Sequence, residues 1–120
     1  MQSEFRVETH TTGRATTLTA IGELDLVSSP ALQAELDRAI GSDTDVIVLD
    51  LRRLSFMDSS GLHVLIRGQQ HAREAGRRFF VTKGSEQVQR LFDLTHVTEL
   101  MSFVDSPADA LEADREPDSP

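Results

Sequence analysis

Val46-Ile47-Val48-Leu49-Asp50-Leu51, followed by Arg52-Arg53-Leu54-Ser55-Phe56-Met57-Asp58-Ser59-Ser60-Gly61-Leu62, is the stretch that decides the fold. Val46 to Leu49 are consecutive aliphatic residues without the alternation of a half-wet strand. They predict a central strand covered on both faces. Asp58-Ser59-Ser60-Gly61 then reads as a helix start, because Asp and Ser oxygens accept from first-turn N–H groups that have no partner inside the helix. Leu62, Leu65, Ile66 and Ala72 recur at helical spacing. The spacing predicts a helix from about Ser60 to Ala75, closed by Gly76. A buried strand feeding a helix is the unit of a parallel α/β sheet.

Working outward, the same alternation continues. Phe5 to Thr9 and the β-branched run Ala15 to Ile21 predict two strands joined by a turn at Thr11–Gly13. Ser28-Ser29-Pro30 opens a helix with Leu32, Leu36, Ala39 and Ile40 on one face, and Gly41 ends it. Phe79-Phe80-Val81 is a strand, Ser85 opens a helix carrying Val88, Leu91 and Phe92, Leu100 to Val104 is a last strand, and Pro107 to Leu111 a final helical turn or two. The order is ββαβαβαβα: one α/β domain over residues 1–111, with a mixed, mainly parallel sheet and packed helices. Glu112 to Pro120 carries four acids, one arginine and two prolines. It is expected to be a disordered acidic tail over 112–120, because it has no large apolar residue to offset its ordering entropy.

Composition closes off several classes of function. The chain has 120 residues, 12 basic and 20 acidic side chains, a formal net charge of −8 and no cysteine. One domain fits this length. The missing cysteine removes disulfides, a thiolate nucleophile, iron–sulfur ligation and Cys-ligated zinc. The acidic balance disfavours nucleic acid and anionic membranes as partners. Neither a secretory signal nor an apolar run of ~20 residues is present, so the expected location is cytoplasmic. His10, His63, His71 and His96 show no metal-ligand spacing and read as surface residues, and no cofactor motif appears.

Function in an α/β sheet gathers where strand ends meet helix N-termini. A hydroxyl in the first turn after Asp58 stands where the helix dipole favours negative charge, so a phosphate on it would sit beside backbone donors, with Asp58 opposing by repulsion. Gly61 is read as letting a partner backbone approach closely. The bland alternative is that Asp58-Ser59-Ser60-Gly61 is a helix cap and nothing more.

Three pieces in order weigh against that alternative. They are Leu54 to Leu62 (LSFMDSSGL), Gly22-Glu23-Leu24-Asp25, and Val88-Gln89-Arg90-Leu91-Phe92. Together they resemble the anti-sigma factor antagonist family, whose fold is called the STAS domain. The resemblance implies a protein that is not an enzyme. Ser59, directly after the Asp, matches the residue that an anti-sigma factor serine kinase phosphorylates, with Ser60 the adjacent alternative. The unphosphorylated antagonist binds that kinase and releases the sigma factor; the phosphorylated one lets go, and a PP2C-type phosphatase restores it. The implied binding face holds Asp25, Asp58, Ser59, Ser60 and Gly61. Asp25 is read either as an acid beside the phosphorylation site or as a cap for the helix at Ser28. His63 departs from the family, which usually has glycine there. Arg52 and Arg53 read as a solvated pair or as partners for a phosphate.

Other chemistries fit less well. No Gly-x-Ser-x-Gly elbow supports a serine hydrolase. A phosphoacceptor receiver domain would use Asp50 and Lys83, but Glu8 stands alone where an acidic pair is required. Within the resembling family, a constitutive scaffold, or a subunit of a stress-sensing or lipid-transport complex without phosphorylation, is the remaining alternative.

Overall fold

The computed structural model describes residues 5–115. In chain order the elements are β1 (Arg6–Thr12), β2 (Ala15–Leu24), α1 (Ser29–Ile40), β3 (Val46–Asp50), β4 (Leu54–Met57), α2 (Ser59–Glu74), β5 (Arg78–Thr82), α3 (Glu86–Thr95), a single 3-10 turn (Val97–Glu99), β6 (Ser102–Val104) and α4 (Pro107–Arg115). The sheet has six strands in the order β1-β2-β3-β5-β6, with β4 paired to β2 off that path. Among the described residues only the β1–β2 hairpin is antiparallel; every other pairing is parallel. The mixed, mainly parallel α/β architecture expected from the sequence is therefore present.

β4 is the addition to the expected order, which becomes ββαββαβαβα. Its residues Leu54-Ser55-Phe56-Met57 are buried only at the two ends, so they carry no strand period. Their pairing comes from β2. That strand pairs β3 along Ala15–Thr19, then shifts register between Gly22 and Glu23 and turns its last residues to β4, with Leu24 opposite Met57. Gly22 has φ 107°, a backbone that glycine adopts without strain.

β3 explains its own sequence. All five of its residues are buried, with Ile47 and Leu49 in the larger core and Val46 and Val48 in the smaller one. The larger core gathers Leu18 of β2, Leu32 and Leu36 of α1, Leu62 and Leu65 of α2, and Val88 and Phe92 of α3. The smaller core lies on the opposite sheet face, where Ala110 of α4 packs with Val46, Val48 and Phe80. Helix α2 ends as its sequence predicts, with Gly76 left-handed at φ 77°. The segment read as a tail from Glu112 begins inside α4, whose backbone is helical to Arg115. Residues 116–120 lie outside the described residues.

Asp50 at the end of β3 is 4% exposed. Its Oδ1 accepts from the Arg52 backbone N–H at 3.1 Å, Arg52 Nε at 3.0 Å and Thr82 Oγ1 at 3.2 Å, and its Oδ2 accepts from Arg52 Nη2 at 3.0 Å. Burial by itself raises this carboxyl's pKa. The Arg52 guanidinium and amide and the Thr82 hydroxyl outweigh it, and the net direction is down. A carboxyl depressed in the folded state stabilises the fold above its unfolded pKa, near 4, and loses that contribution as pH falls through the lower folded value. Urea unfolding of the wild type is therefore expected to lose stability more steeply below about pH 4 than unfolding of Asp50→Asn. Parallel curves for the two proteins would contradict this.

Candidate functional site

The site is built where two chain segments leave the β2–β4 ladder side by side. Leu24 lies opposite Met57, and one residue further the Asp58 N–H donates to the Leu24 carbonyl at 3.1 Å. Asp25 and Asp58 thus emerge next to each other, each opening the turn that leads to a helix.

Asp58 is the N-cap of α2. Its Oδ1 accepts from the backbone N–H of Ser60 at 2.9 Å and of Gly61 at 3.3 Å. Loss of this cap in Asp58→Ala is expected to cost about 1 kcal/mol, read as a lower thermal midpoint; an unchanged midpoint would refute the capping role. Ser59 is the first helical residue and is exposed, whereas Ser60 is half-buried. The expectation that first-turn amides would cradle a phosphate needs correction. The amides of Ser60 and Gly61 are already held by the Asp58 carboxylate, so a phosphate on Ser59 meets an occupied cap.

Gly61 also differs from its expected role. It is buried, and a Cβ built on it would lie 2.6 Å from Leu24 Cδ2 and 3.0 Å from Met57 Cγ. The absent side chain lets α2 sit against the end of β2; it does not open a surface to a partner.

Asp25 organises the other turn. Its Oδ1 accepts from the N–H groups of Val27 at 3.1 Å and Ser28 at 3.0 Å, and from Ser28 Oγ at 3.1 Å. Its carbonyl accepts from the Ser29 N–H at 2.8 Å and Ser29 Oγ at 2.6 Å. The Ser28 backbone donor is the main reason that the Asp25 carboxyl titrates below its ordinary range. The carboxylate therefore caps the turn before α1, and Ser28 makes no side-chain bond to the helix. This turn lifts Leu26 and Val27 into solvent, 74% and 88% exposed. Sequence reading passed over this pair. The signal was two aliphatic residues between Asp25 and Ser28 that no strand or helix period absorbs.

A second residue passed over is Gln87 of α3. Its side-chain amide clamps the backbone of Met57 from both sides: Oε1 accepts from the Met57 N–H and Nε2 donates to the Met57 carbonyl, each at 3.0 Å. Nothing in the local sequence marks it, since a glutamine in the first turn of a helix has an ordinary solvent role.

The remaining candidates separate clearly. Arg52 is committed to Asp50, and Arg53 lies 3.7 Å from Glu8. Neither is a free receptor for phosphate. The receiver-domain arrangement is absent, because Asp50 is buried with both oxygens engaged and Lys83 pairs with Asp105 at 3.0 Å. All four histidines are exposed, and among the described residues no group of acids and histidines could hold a metal ion. Likewise, among the described residues no helix is long and apolar enough to cross a membrane.

Comparison with known proteins identifies the family and the fold. The profile of the STAS domain matches residues 6–110. An anti-sigma F factor antagonist from Paenibacillus polymyxa is 34% identical over 91 residues, which cover 75% of this chain and 78% of that protein. The crystal structure of an anti-sigma factor antagonist from Mycobacterium paratuberculosis superposes with a TM-score of 0.86 at 22% identity, covering 94% of this chain and 96% of the other. The Bacillus cell fate determinant SpoIIAA in its phosphorylated form superposes with a TM-score of 0.69 at 23% identity, covering 93% of this chain and all of the other, 100%. The profile match across nearly the whole described chain, with a relative above 30% identity over most of its length, makes the chain a member of the anti-sigma factor antagonist family, whose fold is the STAS domain.

Proposed function

We propose that this protein is a cytoplasmic binding protein, not an enzyme, that captures an anti-sigma factor serine kinase while Ser59 is unphosphorylated. Capture frees the sigma factor. Transfer of a phosphoryl group to Ser59 ends the complex, and a PP2C-type phosphatase resets it. The observation that carries this reading is the Ser59 hydroxyl, exposed at the first position of α2 directly after the cap Asp58, with Asp25 and the bare aliphatic pair Leu26 and Val27 on the neighbouring segment that leaves β2. Exposed aliphatic side chains ringed by charge suit a protein interface, and a hydroxyl at its centre is where added charge disturbs it most. Ser60, half-buried and one residue along, is the weaker acceptor. Asp25 and Asp58 are the groups that would face basic residues of the kinase, while Gly61 supports the site from beneath.

SpoIIAA, a relative in fold, exists in a phosphorylated form, which supports a phosphoserine switch in this architecture. The test is phosphosite mass spectrometry on the protein isolated from its own cells, growing and stressed. Occupancy of Ser59 that changes between the two conditions is the expected result. Its complete lack in both would leave a constitutive scaffold that uses the same surface.

A further inference from the structure

A groove of about 380 Å³ runs between α1 and α2, lined at the start of α2 by Ser60 and including the exposed Leu26. Leu26, Pro30 and Gln33 line one side, and His63, Val64 and Arg67 the other. Its size falls at the lower end of the range of ligand-binding clefts. Three observations give the occupant a chemistry.

Its lining is partly aliphatic, through Leu26, Pro30 and Val64. Next, Arg67, like Arg73, Arg77 and Arg90, has no carboxylate in ion-pair contact among the described residues, and of these four it is the one that lines the groove. An uncompensated cation inside a groove is a local exception in a chain of net charge −8, where carboxylates outnumber cations. Arg67 belongs to a stripe: His63, Arg67 and His71 follow at four-residue spacing on one exposed side of α2, whose only acid is Glu74. Finally, Gln33 donates through Nε2 to Asp37 at 2.9 Å, but its Oε1 is buried with no hydrogen-bond partner. A buried acceptor left open is costly unless a donor reaches it.

We infer that this groove docks an acidic amphipathic segment of the partner protein. Its aliphatic side chains lie over Leu26, Pro30 and Val64, a carboxylate meets Arg67, and an N–H reaches Gln33 Oε1. The inference rests on the reading of the chain as a partner-binding antagonist and adds a second, oppositely charged half to that interface. Acids at Asp25 and Asp58 and bases along α2 together admit one orientation of the partner. A nucleic acid would match Arg67 but not the aliphatic lining or the overall charge.

The test is photo-cross-linking of the full chain in its own cells, with p-benzoylphenylalanine replacing His71, one turn beyond Arg67 on the same stripe. Sequencing the adduct by mass spectrometry is expected to return a protein segment rich in aliphatic and acidic residues. Arg67→Glu should lower its yield at least tenfold, and Arg67→Lys should keep most of it. A basic or uncharged segment, a second copy of this chain, a nucleic acid, or no adduct overturns the proposal. Repeating the measurement with Ser59→Ala and Ser59→Asp separates the two readings. An acidic adduct indifferent to position 59 keeps the groove and removes the phosphoserine switch. An adduct that vanishes in Ser59→Asp but ignores Arg67→Glu keeps the switch and removes the groove.

Discussion

Ser59→Asp, and more strongly phosphorylated Ser59, is expected to bind the partner kinase at least a hundredfold more weakly than wild type, while Ser59→Ala binds as tightly as the unphosphorylated protein. The argument is electrostatic. A phosphate adds ~1.5–2 negative charges. The helix start cannot absorb them, because the Asp58 carboxylate already occupies the Ser60 and Gly61 amides. The new charge therefore adds to those of Asp25 and Asp58 on a face that must be desolvated when a partner docks. A like-charge or uncompensated group in such an interface costs several kcal/mol, and about 1.4 kcal/mol is tenfold in affinity. Isothermal titration calorimetry with the purified kinase measures this directly. Equal dissociation constants for all four forms would remove the switch.

Gly61→Ala is expected to lower stability by about 1–3 kcal/mol without touching an exposed atom, the usual cost of forcing atoms into a packed core. The added methyl would lie 2.6 Å from Leu24 Cδ2, 2.7 Å from Leu24 Cγ and 3.0 Å from Met57 Cγ. Leu24 and Met57 are both 0% exposed, so neither can swing outward. Relief has to come from moving α2 off the end of β2, which also displaces Ser59 and Asp58. Urea unfolding reports the energy, and the same calorimetry should show weakened kinase binding. A variant as stable as wild type would mean that the junction is looser than the structure describes.

What the sequence disclosed follows from where its signals are local. The aliphatic run Val46 to Leu49 has no other reading than a doubly covered strand, and the structure places one half in each core. The cap at Asp58 and the stop at Gly76 were legible for the same reason, since each is decided by its immediate neighbours. β4 was not legible. Four residues without alternation become a strand only because the bulged end of β2 offers them a ladder. The role of Gly61 was misread because it depends on Leu24, 37 positions earlier in the chain. Gln87 was invisible because its partner, the Met57 backbone, lies 30 positions earlier. Asp25, Asp58 and Ser59 became candidates through a motif, but the aliphatic pair Leu26 and Val27 needed the turn geometry that exposes it.

The clamp of Gln87 on Met57 has a kinetic meaning. It grips the chain just ahead of the helix start through main-chain atoms, and Asp58 holds the Ser60 and Gly61 amides through its carboxylate, so among the described residues no hydrogen bond uses the Ser59 hydroxyl. Esterifying that oxygen breaks nothing in the fold. In the proposed switch the phosphate would then alter the protein's face alone, as a stamp alters a coin. The response time of the proposed circuit would then belong to the enzymes that write and erase the mark.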